Sequence, residues 1–346
     1  ANWSGGVGED QEGVENLTWE KGLKKDIGLE IKLFNSLLSF DLDYFFERRW
    51  DILIQRNTVP GIAGMNKLPL ANMGVLNNQG FEFTGELNHH IGKVGYRLYG
   101  NFSFARNKVL EKDEAPTDSW RRRTGHRLNQ RFGYIALGYF ADQDEIDLSP
   151  TQFGLPLAPG DVKYLDYNKD GVVDEHDEVA IGYANVPEIN YGFGAQLTWK
   201  GLDLGVFFRG QANVTYYLGG AWFPFYGGVK QGNLFEKALD RWSPENPDPN
   251  AYYPRLTEYR NTNNQKTSTK TIYDGSLIRL SDVEAGYTFK GDWLKNWGCQ
   301  AFRIYFVGSN LWMHSPWDMW DPETGSSDGS KYPLTRKFNF GVRFTF

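Results

Sequence analysis

Arg336-Lys-Phe-Asn-Phe-Gly-Val-Arg-Phe-Thr-Phe346 closes the sequence with its most regular alternation. Phe338, Phe340, Val342, Phe344 and Phe346 alternate without a break with Lys337, Asn339, Gly341, Arg343 and Thr345. A period of two places every apolar group on one face of a strand. Whether that face meets a protein core or lipid decides the function.

Upstream the same alternation recurs. Ile27, Leu29, Ile31 and Leu33 are followed across Asn35-Ser36 by Leu38, Phe40, Leu42, Tyr44 and Phe46, which is hairpin spacing. Phe81, Phe83 and Leu87 lead through Gly92 into Tyr96, Leu98, Phe102 and Phe104. Tyr191 to Trp199 turns at Lys200-Gly201 into Leu202 to Phe208. Ile278 to Phe289 carries one phase slip near Ser281-Asp282, read as a bulge. Phe302, Ile304 and Phe306 precede the last strand. This gives about nine strands of roughly ten residues, the length a tilted strand needs to cross a bilayer. Connections alternate in length: short at Asn35, Gly92, Gly201 and around Trp297, long at 55–80, 108–188, 211–276 and 312–335. Membrane barrels segregate tight turns and long loops to opposite ends. No clear helix is expected, Leu234 to Trp242 being the best short candidate.

Composition sets the bounds. A net charge of −6 without a basic stripe argues against nucleic acid. Mean hydropathy of −0.54 and the lack of a long apolar run exclude a membrane-spanning helix, but not a barrel, whose strands are only half apolar. Cys299 is the one cysteine, so no internal disulfide holds the fold. The opposite faces of the strands carry Asp41, Asp43, Glu82, Glu86, Arg97, Asn101, Gln196, Arg209, Arg303 and Arg343. Such a face suits a wet lumen or the solvated side of a soluble sheet. On these residues an all-β transmembrane barrel segment and a secreted β-sandwich that binds carbohydrate both stand.

Ordered stretches then carry a resemblance. They are Asn78-Gln-Gly-Phe-Glu-Phe83, Gly133-Tyr-Ile-Ala-Leu-Gly-Tyr-Phe140, Pro159-Gly-Asp-Val-Lys-Tyr-Leu-Asp-Tyr-Asn-Lys-Asp-Gly-Val-Val-Asp174, Ile181-Gly182 with Pro187, Asp240-Arg-Trp-Ser-Pro-Glu-Asn246, Tyr253-Pro-Arg255, Asp274-Gly-Ser-Leu-Ile-Arg-Leu280, Gly308-Ser-Asn-Leu311, Asp321-Pro-Glu323 and the terminal strand. With them the chain resembles the C-terminal portion of SusC/RagA-type TonB-dependent outer-membrane transporters of Bacteroidetes. The resemblance implies an antiparallel segment of a roughly 22-stranded barrel, an N-terminal plug and a TonB box. It also implies a SusD-like surface lipoprotein as lid, and energy from TonB-ExbB-ExbD. The expected function is import of an oligosaccharide or oligopeptide across the bacterial outer membrane, with membrane lipid around the barrel and no catalysis. A passive porin would lack plug and lid.

Residues 1–22 are then expected in an extracellular loop, 23–346 in barrel strands and loops, with 108–188 and 211–276 as long extracellular loops. Plug and N-terminal strands are absent from the sequence, and are expected on a separate chain that closes the same barrel. The terminal row Phe338, Phe340, Val342, Phe344 and Phe346 is expected to face lipid and to serve as the signal for barrel assembly.

One motif points to a metal. Asp166-Tyr-Asn-Lys-Asp-Gly-Val-Val-Asp-Glu-His-Asp177 has the twelve-position pattern of a calcium loop. Asp166, Asn168, Asp170, Val172 through its carbonyl, Asp174 and Asp177 are the candidate ligands for a structural Ca²⁺, with Asp177 where a longer Glu is usual. The other reading is a turn stabilised by its own Asx side chains. His89-His90, His126, His176 and His314 lack ligand spacing. No nucleophile, phosphate or dinucleotide motif occurs. Trp222, Phe223, Phe225, Tyr226, Trp242, Tyr252, Tyr253, Trp312, Trp317 and Trp320 crowd the loops; most are expected in interfacial girdles or lid contacts, the alternative being direct stacking on a sugar ligand. Arg121-Arg122-Arg123 is read as a solvated or partner-facing patch.

Overall fold

The computed structural model describes residues 13–14, 16–63, 67–115, 118–223, 234–258, 260–296 and 298–346. Most of the segment 1–22, together with Phe225, Tyr226 and Trp297, lies outside the described residues.

Nine strands form one antiparallel sheet in strict chain order: β1 (Lys21–Leu33), β2 (Leu38–Gln55), β3 (Leu70–Ile91), β4 (Val94–Glu111), β5 (Ile189–Trp199), β6 (Leu202–Ala212), β7 (Leu277–Phe289), β8 (Ala301–His314) and β9 (Lys337–Thr345). The order is that of an up-and-down wall, with β1 and β9 at its edges. No second large sheet covers either face among the described residues. The remaining sheets are two-stranded and lie in the long connections, so the sandwich alternative is not the fold.

The register carries the alternation across the whole wall. Phe338, Gly308, Val283, Val206, Ala195, Leu98, Leu87, Leu38 and Leu33 stand opposite one another in turn, one from each strand. None of the nine is polar. A slip of one residue in any strand would break this row, so the pattern fixes the register of every pair. Ser281 is the extra residue that makes the phase slip. Pairing jumps over it on both sides, with Asn310 in a left-handed conformation (φ 57°) on the facing strand.

Tight connections lie at one end. The β1–β2 turn uses Phe34, Asn35 and Ser36 with φ of 55°, 54° and 66°, and Lys200-Gly201 turns β5 into β6. A short helix, Asp292–Lys295, lies between β7 and β8. The long connections all leave from the other end.

Three expectations are corrected. β3 begins at Leu70 within the expected 55–80 loop, and β2, β3 and β4 run 18, 22 and 18 residues, well past the roughly ten that a crossing needs. Their extensions stand beyond β5, and loop backbone takes its place: the Val109 N–H donates to the His126 carbonyl (2.8 Å), and the Gly125 N–H to the Val109 carbonyl (2.8 Å). The stretch Leu234–Trp242 holds only a 3-10 turn, Glu236–Leu239, which Asp240 ends with a non-helical backbone. A further short helix, Gln143–Asp147, is capped by Asp142.

The water-excluded core lies in the loops. One cluster joins Tyr134, Tyr139, Val162, Tyr164, Val173, Trp242 and Ala251; a second joins Leu218, Trp222, Ala238, Tyr253, Tyr273 and Trp317. Both draw on the 112–188 and 213–276 connections or on 213–276 and 315–336, so the loops form one packed layer over the wall.

Candidate functional site

The polar face of the wall is charge-paired near the tight-turn end. Arg97 donates to both oxygens of Glu86 (2.8 and 2.7 Å) and lies over the Tyr99 ring (4.6 Å). Arg303 bonds Asp203 and Glu284 from β6 and β7, with Arg343 opposite it on β9. Midway along, Tyr99 and Phe207 stack in parallel, 5.8 Å apart with 6° between planes. They lean across Gly194 and Gly192 of β5, where any side chain would collide with a ring. Toward the long-loop end, β3 to β6 enclose a polar hollow of about 380 Å³.

Loop 315–336 is tied to this face. Arg279 of β7 is buried and donates to both carboxylate oxygens of Asp321 (2.7 and 2.6 Å), with Glu323 at 2.8 Å and Asn310 alongside. Arg209 of β6 grips the same Glu323. A second tie holds the 112–188 loop: Glu188, buried at the entry to β5, accepts from Arg106 (2.9 and 2.8 Å) and Arg127. A third couples the two largest loops. Asp161 is 0% exposed and accepts from Arg255 (2.7 Å), Asn261 (2.8 Å) and Asn264 (3.0 Å). Beside it Gln152 donates to Asn263 (2.9 Å), and the Tyr164 hydroxyl to the Asn263 carbonyl (2.7 Å). A buried carboxylate is stable only when so paired. The Tyr273 hydroxyl donates to the Ser326 carbonyl (2.7 Å), and burial pushes its pKa up to about 12.

The twelve-residue acidic loop folds onto its own backbone. Asp166 accepts from the N–H groups of Lys169 (2.6 Å) and Gly171 (2.9 Å), and Asp170 from Val172 (2.9 Å). Asn168 donates to Asp170 (2.8 Å). Asp174 caps the turn at 175–177 by accepting from His176 (2.8 Å). Asp177 is buried and accepts from Tyr167 (2.7 Å) and Asp174 (2.8 Å). Among the described residues no group of three or more His, Cys, Asp or Glu side chains converges on a common point that could hold a metal. His176 turns outward to Asp118 (2.7 Å), whose carboxylate raises the imidazole pKa.

The aromatic residues divide. Trp312 sits half exposed on the apolar face, as a girdle residue would. Trp222, Trp242, Tyr253 and Trp317 are instead buried in the loop cores, which corrects their reading as girdle or lid contacts; Tyr252 and Trp320 pack against the second core. A loop this long buries its aromatics because the hydrophobic gain must offset the entropy of ordering it. Of the basic cluster, Arg121 bonds Asp118 (3.4 Å), and Arg123 lies over Phe132 (3.5 Å) with its pKa lowered by burial, so it is not a free patch. The ties at Asp161, Glu188 and Arg279 were not among the expected functional residues.

A family model described as TonB dependent receptor-like, beta-barrel, matches residues 2–311. TonB-dependent receptor P26 of Formosa agariphila is 31% identical, the match covering 96% of this chain and 35% of that protein. TonB-dependent receptor SusC of Bacteroides thetaiotaomicron is 22% identical over 96% of this chain and 32% of its own length. The solved RagAB peptide importer in its 'open-open' state shares the fold with a TM-score of 0.73 at 19% identity, covering 96% of this chain and 35% of that one. The chain thus spans about a third of the length of the relatives it matches.

Proposed function

The chain belongs to the TonB-dependent receptor-like β-barrel family, and on that premise we propose that it forms one arc of the wall of an outer-membrane importer driven by TonB-ExbB-ExbD. The observation that carries the reading is the apolar row from Leu33 to Phe338, one residue from each of nine strands, with ion-paired side chains behind it. Such a row suits lipid on one side and a wet lumen on the other. A wall with two free edges leaves backbone groups unsatisfied in hydrocarbon, so the arc needs the strands its longer relatives have and this sequence lacks. Those strands and the plug are the rest of the same transporter, whether on one chain or two.

The tight turns then lie in the periplasm and the packed loop layer outside the cell. Its outer surface is the dock for a SusD-like lipoprotein, and the cargo is an oligosaccharide or an oligopeptide. The apolar end of β9, through Phe344 and Phe346, serves barrel assembly. The chain supplies wall and dock, with no catalytic step. For the acidic loop the proposed role is structural. Calcium is the ion its oxygen set would take, between Asp166, Asn168, Asp170, Asp174, Asp177 and the Val172 carbonyl.

The test is uptake by cells that carry the full-length receptor. Import that stops on deletion of TonB supports the reading. Passage that continues without TonB makes the protein a porin and removes it.

A further inference from the structure

Three neighbouring register rows cross β3 to β6 on the polar face. Glu82, Ser103, Asn190 and Gln211 form the row nearest the long loops. Thr84, Asn101, Gly192 and Arg209 form the next, and Glu86, Tyr99, Gly194 and Phe207 the third. The Phe207 ring fills the space over Gly192, and beside it, on the two rows nearer the long loops, lies the hollow of about 380 Å³, lined by Glu82, Thr84, Asn101, Ser103, Asn190 and Arg209. Glu323, held by Arg209, closes one side of it.

The polar groups here differ from those elsewhere on the face. Glu86, Arg97, Asp203, Glu284 and Arg303 are spent on one another. The side chains of Glu82, Thr84, Asn101 and Asn190 make no hydrogen bond or ion pair with any other part of the chain among the described residues. Two amides, a carboxylate and a hydroxyl therefore point free into one hollow, next to the row that holds the stacked Tyr99 and Phe207 rings.

We propose that this hollow is a binding subsite for a neutral, hydroxyl-rich ligand, an oligosaccharide in place of a peptide. It rests on the import reading above, since only cargo inside the barrel meets this face. An Asn amide both donates and accepts in one plane, which matches a hydroxyl, itself donor and acceptor. A carboxylate accepts from two adjacent hydroxyls. The C–H face of a sugar ring packs on a flat aromatic surface. No aliphatic pocket stands in the three rows to take an apolar peptide side chain. Charge narrows the class further. Asp43 stands opposite Glu82 and Asp41 opposite Thr84, so an anionic sugar would meet like charge on entry.

The experiment is binding calorimetry on the full-length receptor in detergent. Its probes are neutral gluco-, xylo- and manno-oligosaccharides, a galacturonate oligomer and a tryptic peptide pool. Binding of a neutral oligosaccharide is expected, with the galacturonate weaker. Asn101→Ala with Asn190→Ala should weaken that binding by roughly tenfold or more, two hydrogen bonds being lost. Both residues are exposed and unpaired, so folding is unaffected, and Asn339→Ala on β9 serves as the neutral control. The inference is overturned if peptides bind and sugars do not, if no probe binds, or if the double variant binds sugar as well as the parent. That last result is also what a hollow filled by the rest of the receptor would give. TonB-dependent uptake of peptide would leave the import reading standing while this subsite fell; passage independent of TonB would remove both.

Discussion

Phe140 and Phe340 are the same side chain in two regions with opposite surroundings. Phe140, in the loop layer, is 0% exposed; Phe340, in the middle of β9, is 82% exposed. The loop layer has an aqueous exterior and hides its aromatics inside. The wall is one sheet thick and turns its aromatics out. Both regions are rich in aromatic residues, so it is the solvent each was shaped for that differs. Water stabilises the first by excluding apolar groups, and the second is complete only with lipid against one face.

Phe140→Ala should cost the loop layer about 3–5 kcal/mol, read as lost amide protection in 136–164 of the full-length receptor while strand content persists. Equal loss of protection in the wall would mean that the two regions are not separate. Asp161→Ala removes the carboxylate that joins the two largest loops and should cost about 3 kcal/mol. Faster proteolysis of both loops together is the expected readout, and cleavage of one alone would show them uncoupled.

On the wall, Phe340→Arg should cost about 2–4 kcal/mol in a bilayer, measured by denaturant unfolding from vesicles. Asn339→Arg, one residue away on the polar face, should change little. Parity between the two would refute the assignment of faces.

A smaller effect concerns pH. His176 has its pKa raised by Asp118, with Asp174 adding to the shift and Arg121 opposing it. A raised pKa means stability that is full below the unfolded value of about 6.5 and is lost as pH rises through the folded value. Once the intrinsic rise of amide exchange with pH is divided out, protection in 118–121 should therefore fall as pH rises above about 6.5, and His176→Gln should remove that fall. Calcium is the smallest effect: it should raise the melting temperature of the loop layer slightly, and melting unchanged by chelator would leave the acidic loop a self-held turn.

The wall was legible because its signal is local. Each strand shows its alternation within about ten residues, and even Ser281 betrayed itself as a break in phase. The lengths of β2 to β4 were not, because Leu70 to Gly80 is Gly- and Asn-rich and its pairing is set by neighbours 15 and more residues away. The loop layer was least legible. Its contacts join Asp161 to Arg255 and Gln152 to Asn263, and no periodicity spans such separations. Yet the ties at Asp161 and Arg279 sit in stretches that carried the family resemblance: Pro159 to Asp174, Tyr253-Pro-Arg255, Asp274 to Leu280 and Asp321-Pro-Glu323. Those short motifs are read physically as the two halves of buried ion pairs. The polar hollow was visible only as separate residues, Glu82, Asn101 and Arg209, until the register set them side by side.

The tie at Asp161 also has a consequence for the order of events during assembly. Its partners are 94 to 103 residues further along the chain, and β5 and β6 lie between them. The wall can grow hairpin by hairpin, each strand pairing with one just made. Contacts of long sequence separation form late. The loop layer can lock only when β5 and β6 are in place and the second loop has emerged on the same side as the first. Its closure would then report that this part of the wall has been threaded correctly.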